Sequence, residues 1–161
     1  MPSRLPVLRI GVISDTHGLL RPEVEGQFAG VAHIIHGGDI GSPDIVAGLE
    51  RTAPVIAIRG NVDTGRWADA YPETRMITLG GCRIYVVHDI KTLQLDPVAS
   101  GVDLIVCGHS HRPRIETIGG VLYLNPGSAG PRCFNLPITV ATLDLTPGGL
   151  TPVLHHLGRA G

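Results

Sequence analysis

Three short apolar runs near the start of the chain, Val7 to Ser14, Ala32 to His36 and Pro54 to Ile58, are separated by two stretches of helical spacing. That order limits the fold more than any other feature of the sequence. Apolar runs of this length read as buried strands. The stretches between them read as helices: Leu19–Ala29, with Pro22 in its first turn, and Pro43–Arg51, with Ser42 as its N-cap. A βαβαβ order implies a parallel sheet with right-handed crossovers.

The texture then changes. Arg75–Leu79 and Cys82–Val87 flank Gly80-Gly81, a two-residue hairpin signal. Val102–Cys107 is a further buried strand. Arg114–Ile118 and Val121–Leu124 flank Gly119-Gly120, and Pro137–Leu145 and Leu150–Leu157 flank Pro147-Gly148-Gly149. This pattern predicts an α/β protein, a four-layer α/β/β/α sandwich of two mixed β-sheets. No linker, repeat or low-complexity stretch divides the 161 residues, so residues 1–161 are expected to form a single domain. A chain of this size buries roughly 70% of its unfolded surface, enough for a core without disulfides.

The chemistry-bearing residues fall where the predicted strands end. Asp15 and His17 follow the first strand, Asp39 the second and Asn61 the third. His88 ends the Cys82–Val87 strand, and His109 and His111 follow Val102–Cys107. Ligands of open α/β sheets bind outside the carboxyl ends of strands, so five strand ends deliver these side chains to one edge. Asp15-Thr16-His17 and His109-Ser110-His111 are i, i+2 pairs, which on extended backbone point to the same side. Gly37, Gly38, Gly60 and Gly108 precede Asp39, Asn61 and His109, and glycine permits the sharp turns that aim short side chains back across an edge. Oxygen and imidazole donors without thiolate suit Mn, Fe, Co, Ni or Zn in a reactive site rather than a structural zinc cage. Two divalent ions against two carboxylates leave the site electropositive, as binding of hydroxide and of an anionic phosphate requires. Such a pair of ions clamps the attacking and leaving oxygens of an in-line displacement.

The string Asp15-x-His17, Gly38-Asp39, Gly60-Asn61-x-Asp63, His88 and Gly108-His109-Ser110-His111 resembles the calcineurin-like metallophosphoesterases. The short length and Asn125-Pro126-Gly127-Ser128 resemble their small bacterial and archaeal phosphodiesterase branch. The resemblance runs from Ile10 to about Ser128. It implies the metallophosphoesterase fold and two divalent metal ions, with Mn first among the candidates. Asp15, His17, Asp39 and His111 would hold one ion. Asp39, Asn61, His88 and His109 would hold the other, with Asp39 bridging. A bridging hydroxide would attack phosphorus, so Asp39, Asn61 and His88 would act in catalysis through that hydroxide and by polarising the substrate. The chain departs from the family pattern at three positions. Val62 stands where many members carry a histidine that protonates the leaving group. Ser42 stands where an aspartate orients that histidine, and Asp89 replaces a common glycine.

Other polar residues have two readings each. His36 lies three residues before Asp39 and either contacts the ligands or simply ends a strand. Asp63 either hydrogen-bonds near the site or caps a turn with Thr64 and Gly65. Asp89 is either a carboxylate behind the ligands or a loop side chain. Adjacency sends His155 and His156 to opposite faces of the last strand, away from a common site. Arg59 and Arg132 read as phosphate contacts or, more commonly for arginine, as exposed charges. No GxSxG elbow makes Ser128 a nucleophile, and Gly37-Gly38 lacks the Lys-Ser/Thr of a P-loop.

Composition narrows the partners. A formal charge of −1, from 13 basic and 14 acidic residues without a long like-charge run, offers no nucleic-acid footprint and no membrane attraction. No apolar run reaches the roughly 20 residues of a membrane span. The stretch between Arg4 and Arg9 is too short for a secretion signal. Cys82, Cys107 and Cys133 form no CxxC pair, which fits a reducing, cytoplasmic setting. The expected partner is a small-molecule phosphoester, and a homo-oligomer is left open. A diester is favoured over a monoester or nucleotide, because the chain is too short for a cap domain and lacks the family's leaving-group acid. The contrasting class is a scaffold: some proteins of this fold, such as the small subunit of the retromer coat, act chiefly as binding modules with a degraded metal site. All seven ligand positions are filled here.

Overall fold

The computed structural model describes residues 7–133 and 135–157. Arg4 and its neighbours lie outside them. The first sheet has the order β10-β9-β1-β2-β3. Here β1 is Leu8–Ile13, β2 is His33–His36 and β3 is Val55–Ala57, all parallel. β9 (Thr139–Thr146) and β10 (Gly149–His156) join β1 as an antiparallel hairpin. The second sheet has the order β4-β5-β6-β8-β7. β5 (Cys82–Val87), β6 (Leu104–Val106) and β8 (Val121–Asn125) run parallel. β4 (Thr74–Leu79) and β7 (Arg114–Ile118) pair antiparallel at its two edges. Two mixed sheets were expected, and every strand expected from the sequence is present.

Side-chain alternation decides how the layers stack. On β1, Ile10 and Val12 face the second sheet and meet Ile84, Val86, Leu104, Val106, Leu122 and Leu124. Ile13, on the opposite face, packs with Val24, Phe28, Ile45, Val46 and Leu49 of the helical layer. Gly11 shares that outer face and has no side chain because Phe28 occupies its place: a Cβ there would lie 2.8 Å from the Phe28 ring. Phe28 is fully buried, and its removal is worth about 3–5 kcal/mol.

The helices differ in detail from their sequence reading. α1 covers only Glu23–Gln27, against the expected Leu19–Ala29. His17 and Gly18 both have positive φ, and Pro22 occupies the N-cap position, so the helix cannot begin earlier; Gly30, at φ 82°, follows its end. α2 is Pro43–Glu50, with Pro43 in the first turn. Ser42 holds the N-cap position in extended backbone, but its side chain makes no capping hydrogen bond. On the outer face of the second sheet, the fourth layer is thin. A 3-10 turn, Ile90–Thr92, and the segment after it lay Leu93 and Leu95 over Val87, Val102, Ile105 and Cys107. A second 3-10 turn, Arg66–Ala70, sets Trp67 against the helical layer. Neither turn carries a periodicity long enough to read. Among the described residues, no helix is long and apolar enough to cross a membrane.

Candidate metal centre

Asp15, His17, Asp39, Asn61, His88, His109 and His111 lie just past the carboxyl ends of β1, β2, β3, β5 and β6. The loops are laced together across both sheets. Asp15 N–H donates to the Gly38 carbonyl (3.0 Å), His17 N–H to Asp39 (2.9 Å) and Gly108 N–H to His88 (2.9 Å). This lacing overturns the expectation of extended i, i+2 pairs. Asp15, His17, Asp39, His109 and His111 have φ between 47° and 70° and are the only non-glycine residues with positive φ among those described. Such backbone costs of order 1–3 kcal/mol per residue and persists only where the surroundings over-determine it. All five strained positions are candidate ligands, so the backbone strain is concentrated at this edge.

The glycines act by close approach more than by turn geometry. A Cβ at Gly60 would collide with Asp39, and one at Gly108 would lie 2.6 Å from Asp15 Oδ2. Gly38 needs both features: its φ is 103°, and a Cβ would lie 2.6 Å from His88 Nδ1.

The carboxylates are each held by one oxygen. Asp15 is fully buried; its Oδ2 accepts from Ser14 Oγ (2.8 Å) and from His109 N–H (3.1 Å). Its Oδ1 has no hydrogen-bond partner and lies 3.4 Å from His111 Nε2, 3.8 Å from His17 Nε2 and 3.9 Å from His88 Nε2. Asp39 Oδ1 accepts from Val62 N–H (3.1 Å), while Oδ2 faces His88 Nε2 at 3.2 Å and His17 Nε2 at 3.6 Å. His88 Nδ1 donates to the Gly37 carbonyl (2.8 Å), which leaves Nε2 as the free lone pair of the neutral ring, buried and without an aligned partner. The donor atoms of Asp15, His17 and His111 lie within 4.8 Å of one another, as do those of Asp39, His88 and His109.

Without a cation these groups perturb each other. Burial works against charge on both Asp39 and His88. Their mutual attraction wins, with help from the Val62 N–H on one side and the Gly37 carbonyl on the other. Asp39 is held down at about 2, and His88 is raised above the ordinary histidine range. His111 is raised by Asp15. Buried carboxylate oxygen and imidazole nitrogen converging without protein partners fit a divalent ion, so the residues present suit the expected metal.

The second rank of side chains is also resolved. His36 is fully buried. Its Nδ1 accepts from Gly38 N–H (3.1 Å), so Nε2 carries the proton and donates to Thr16 Oγ1 (3.0 Å), which donates to the Ile40 carbonyl (2.8 Å). Burial lowers its pKa to about 4, so the ring stays neutral. Asp63 is buried and accepts three backbone N–H groups, from Ile40 (3.0 Å), Gly41 (2.9 Å) and Gly60 (2.8 Å), tying the loop after β2 to the loop after β3. Asp89 accepts from Lys91 N–H (3.0 Å) and faces His109 at 3.7 Å. Asn61 is exposed on the wall of a cavity of about 500 Å³ that it shares with His88.

Several supports were not read from the sequence. Ser14 and Thr16 brace the ligand loop as described. Asn125 Nδ2 donates to the Gly108 carbonyl (3.0 Å), and Ser128 Oγ donates to the Asp15 carbonyl (3.0 Å). The Asn-Pro-Gly-Ser run was the available signal, and its role is bracing. Val62 is half exposed at the rim. Among the described residues His33 and His156 join no metal-capable group, and His155 hydrogen-bonds Thr142. Arg59 pairs with Glu73 (3.5 Å), and Arg132 is exposed. Cys82, Cys107 and Cys133 are unpaired; burial raises the first two to about 11, which makes them inert thiols.

The family model of the calcineurin-like phosphoesterase superfamily domain matches residues 8–148. The chain belongs to this family. A probable metallophosphoesterase of Methanothermobacter thermautotrophicus is 35% identical over 84% of the chain and 86% of its own length. A phosphodiesterase of Methanocaldococcus jannaschii is 28% identical over 85% of the chain and 93% of its own length. Among solved structures, a novel archaeal phosphodiesterase superposes with a TM-score of 0.78 at 23% identity, over 92% of this chain and 100% of that one. Vacuolar protein sorting 29 of Cryptosporidium parvum superposes with a TM-score of 0.75 at 18% identity, over 95% and 99%. At those identities the superpositions establish the calcineurin-like phosphoesterase fold alone.

Proposed function

We propose that this phosphoesterase hydrolyses phosphodiesters at a dinuclear metal centre. Asp15, His17, Asp39 and His111 would hold one ion, and Asp39, Asn61, His88 and His109 the other. The observation that carries the reading is the pair of buried, partnerless donors, Asp15 Oδ1 and His88 Nε2, 3.9 Å apart between two converging ligand groups. When bound, two divalent ions supply Lewis acidity toward the phosphoryl oxygens and lower the pKa of an attacking water.

The chain's own residues do the rest. Gly37 holds His88 in the tautomer that presents Nε2. Ser14 and the His109 N–H fix Asp15, and Val62 N–H fixes Asp39, so the ligands are oriented before any substrate arrives. Asn61 and His109 are exposed, and in this reading they would meet the substrate's non-bridging oxygens. A diester is favoured because cavities of about 500 and 570 Å³ flank Asp89, one for each ester arm.

The test is metal analysis of protein purified without added metal, followed by assays with bis(4-nitrophenyl) phosphate and 4-nitrophenyl phosphate. Chelation should abolish turnover, Mn²⁺ should restore it, and the diester should be the better substrate. Full activity in metal-free protein would refute the metal reading, and a faster monoester would refute the diester preference.

A further inference from the structure

The two cavities beside Asp89 differ in charge. In the first, Arg59 is engaged by Glu73 (3.5 Å) and Asp69 (4.0 Å), and the wall sets one cation against the carboxylates of Glu73 and Asp89. An anionic arm is disfavoured there. The second, about 570 Å³, is walled by Lys91, Arg112 and Arg114, with Asp89 as the one carboxylate among the described lining residues. Arg114 pairs with Glu116 and lies over the Tyr123 ring. Lys91 and Arg112 are exposed, and among the described residues neither has a carboxylate partner. Ser110 Oγ accepts from Arg112 N–H (3.2 Å) and from Asn125 Nδ2 (3.2 Å), so its own proton is free to be donated outward. His109 belongs both to a candidate ligand group and to this wall, so the cavity opens directly onto the reacting centre.

We infer that the substrate is a small phosphodiester carrying a second, non-reacting phosphate, and that Lys91, Arg112 and the Ser110 hydroxyl bind that phosphate in the cavity beside His109. A nucleotide ester with a further phosphate on its sugar has this chemistry. The inference rests on the phosphodiesterase reading above. Guanidinium presents a planar fork of donors that matches phosphate, and ammonium adds a point charge. The chain as a whole carries a formal charge of −1, so the attraction is local, as a compact dianion requires.

The test compares 4-nitrophenyl thymidine 5′-phosphate with the same ester bearing a 3′-phosphate, using the metal-loaded protein. The native enzyme should prefer the phosphate-bearing ester by about tenfold or more in kcat/KM, chiefly through KM, the scale of one well-placed charged contact. The preference should shrink with added salt. In the double variant Lys91→Ala, Arg112→Ala, the ratio of the two kcat/KM values should fall to near one. Both residues are exposed, so the variant should fold, and circular dichroism checks that. Calorimetric titration with thymidine 3′,5′-bisphosphate and thymidine 5′-monophosphate gives a readout independent of turnover: the bisphosphate should bind about tenfold tighter to the native protein and equally to the variant. Equal affinity in the native protein, or a preference that survives the double substitution, would overturn the inference. Hydrolysis of neither ester, with the bisphosphate preference intact and dependent on Lys91 and Arg112, would instead refute the phosphodiesterase reading and leave the phosphate site standing.

Discussion

Asp63→Asn is the most informative single substitution, because it changes one atom of a buried side chain that is not itself a candidate ligand. The carboxylate accepts from Ile40 and Gly60 through Oδ2 and from Gly41 through Oδ1, at 2.8–3.0 Å. In its better orientation, asparagine keeps its oxygen at the Oδ2 place. Its amide nitrogen then meets the Gly41 N–H, donor against donor. A hydrogen bond to a charged group is worth about 1.5–3 kcal/mol, and a neutral acceptor makes roughly half the bond. One bond lost and two weakened therefore cost about 3–6 kcal/mol, a large share of the roughly 5–15 kcal/mol that holds a domain folded. For a chain of 161 residues that is a fall in Tm on the order of 10 °C. The loops so released carry Asp39 and Asn61, so metal affinity should drop about 10–100-fold as well, the usual effect of losing a group that positions ligands. Denaturant unfolding of the metal-free protein measures the first effect, and Mn²⁺ titration of refolded protein the second. Asp44→Asn, an exposed change of the same charge in the first turn of α2, is the control. If the two variants unfolded within about 1 kcal/mol of each other, a margin that covers the helix-end charge of Asp44, the idea that Asp63 ties the two loops would be wrong.

Three further outcomes are expected. Asp39→Asn should lose activity and metal while the fold persists, and His155→Ala, whose ring bonds Thr142, should do neither; assays and metal analysis showing the two alike would refute the site assignment. His36 has its pKa lowered to about 4 in the folded state. The unfolded chain therefore takes up a proton below about pH 6.5 that the folded chain refuses until about pH 4, and stability falls across that window by about 3 kcal/mol. In metal-free protein, the stability gap between native and His36→Gln should narrow by that amount from pH 7 to pH 4; a constant gap would show that His36 does not titrate this way. Val62 cannot donate a proton, so rates on a series of aryl and alkyl diesters should depend steeply on leaving-group pKa. Val62→His with Ser42→Asp should flatten that dependence by speeding poor leaving groups, up to the roughly 10²–10⁴-fold of a general acid. A flat dependence in the native enzyme would refute this and turn attention to Asp89 beside His109.

The strands and the edge that carries the candidate ligands were legible because both are written locally. Apolar runs such as Leu104–Val106 record burial residue by residue, and each candidate ligand follows its strand closely. From strand order and the residues that follow each strand, the sequence by itself indicated a two-sheet α/β fold and drew candidate ligands to one edge, where six of the seven fall into two metal-capable groups and Asn61 lies on the cavity wall beside His88. Tertiary structure alone decided how those groups are held. The left-handed backbone at Asp15 and His109 depends on hydrogen bonds such as Asp15 N–H to Gly38 and His109 N–H to Asp15, the latter between residues 94 positions apart. The roles of His36 and Asp63 likewise depend on which loop amides reach them, and their two sequence readings stayed open for that reason. The charge of the cavity beside His109 arises because Lys91 and Arg112, far apart in the chain, come to share one wall. Periodicity reports the burial of each residue along its own strand or helix; a through-space contact between loops leaves no periodic trace, and only the folded chain contains it.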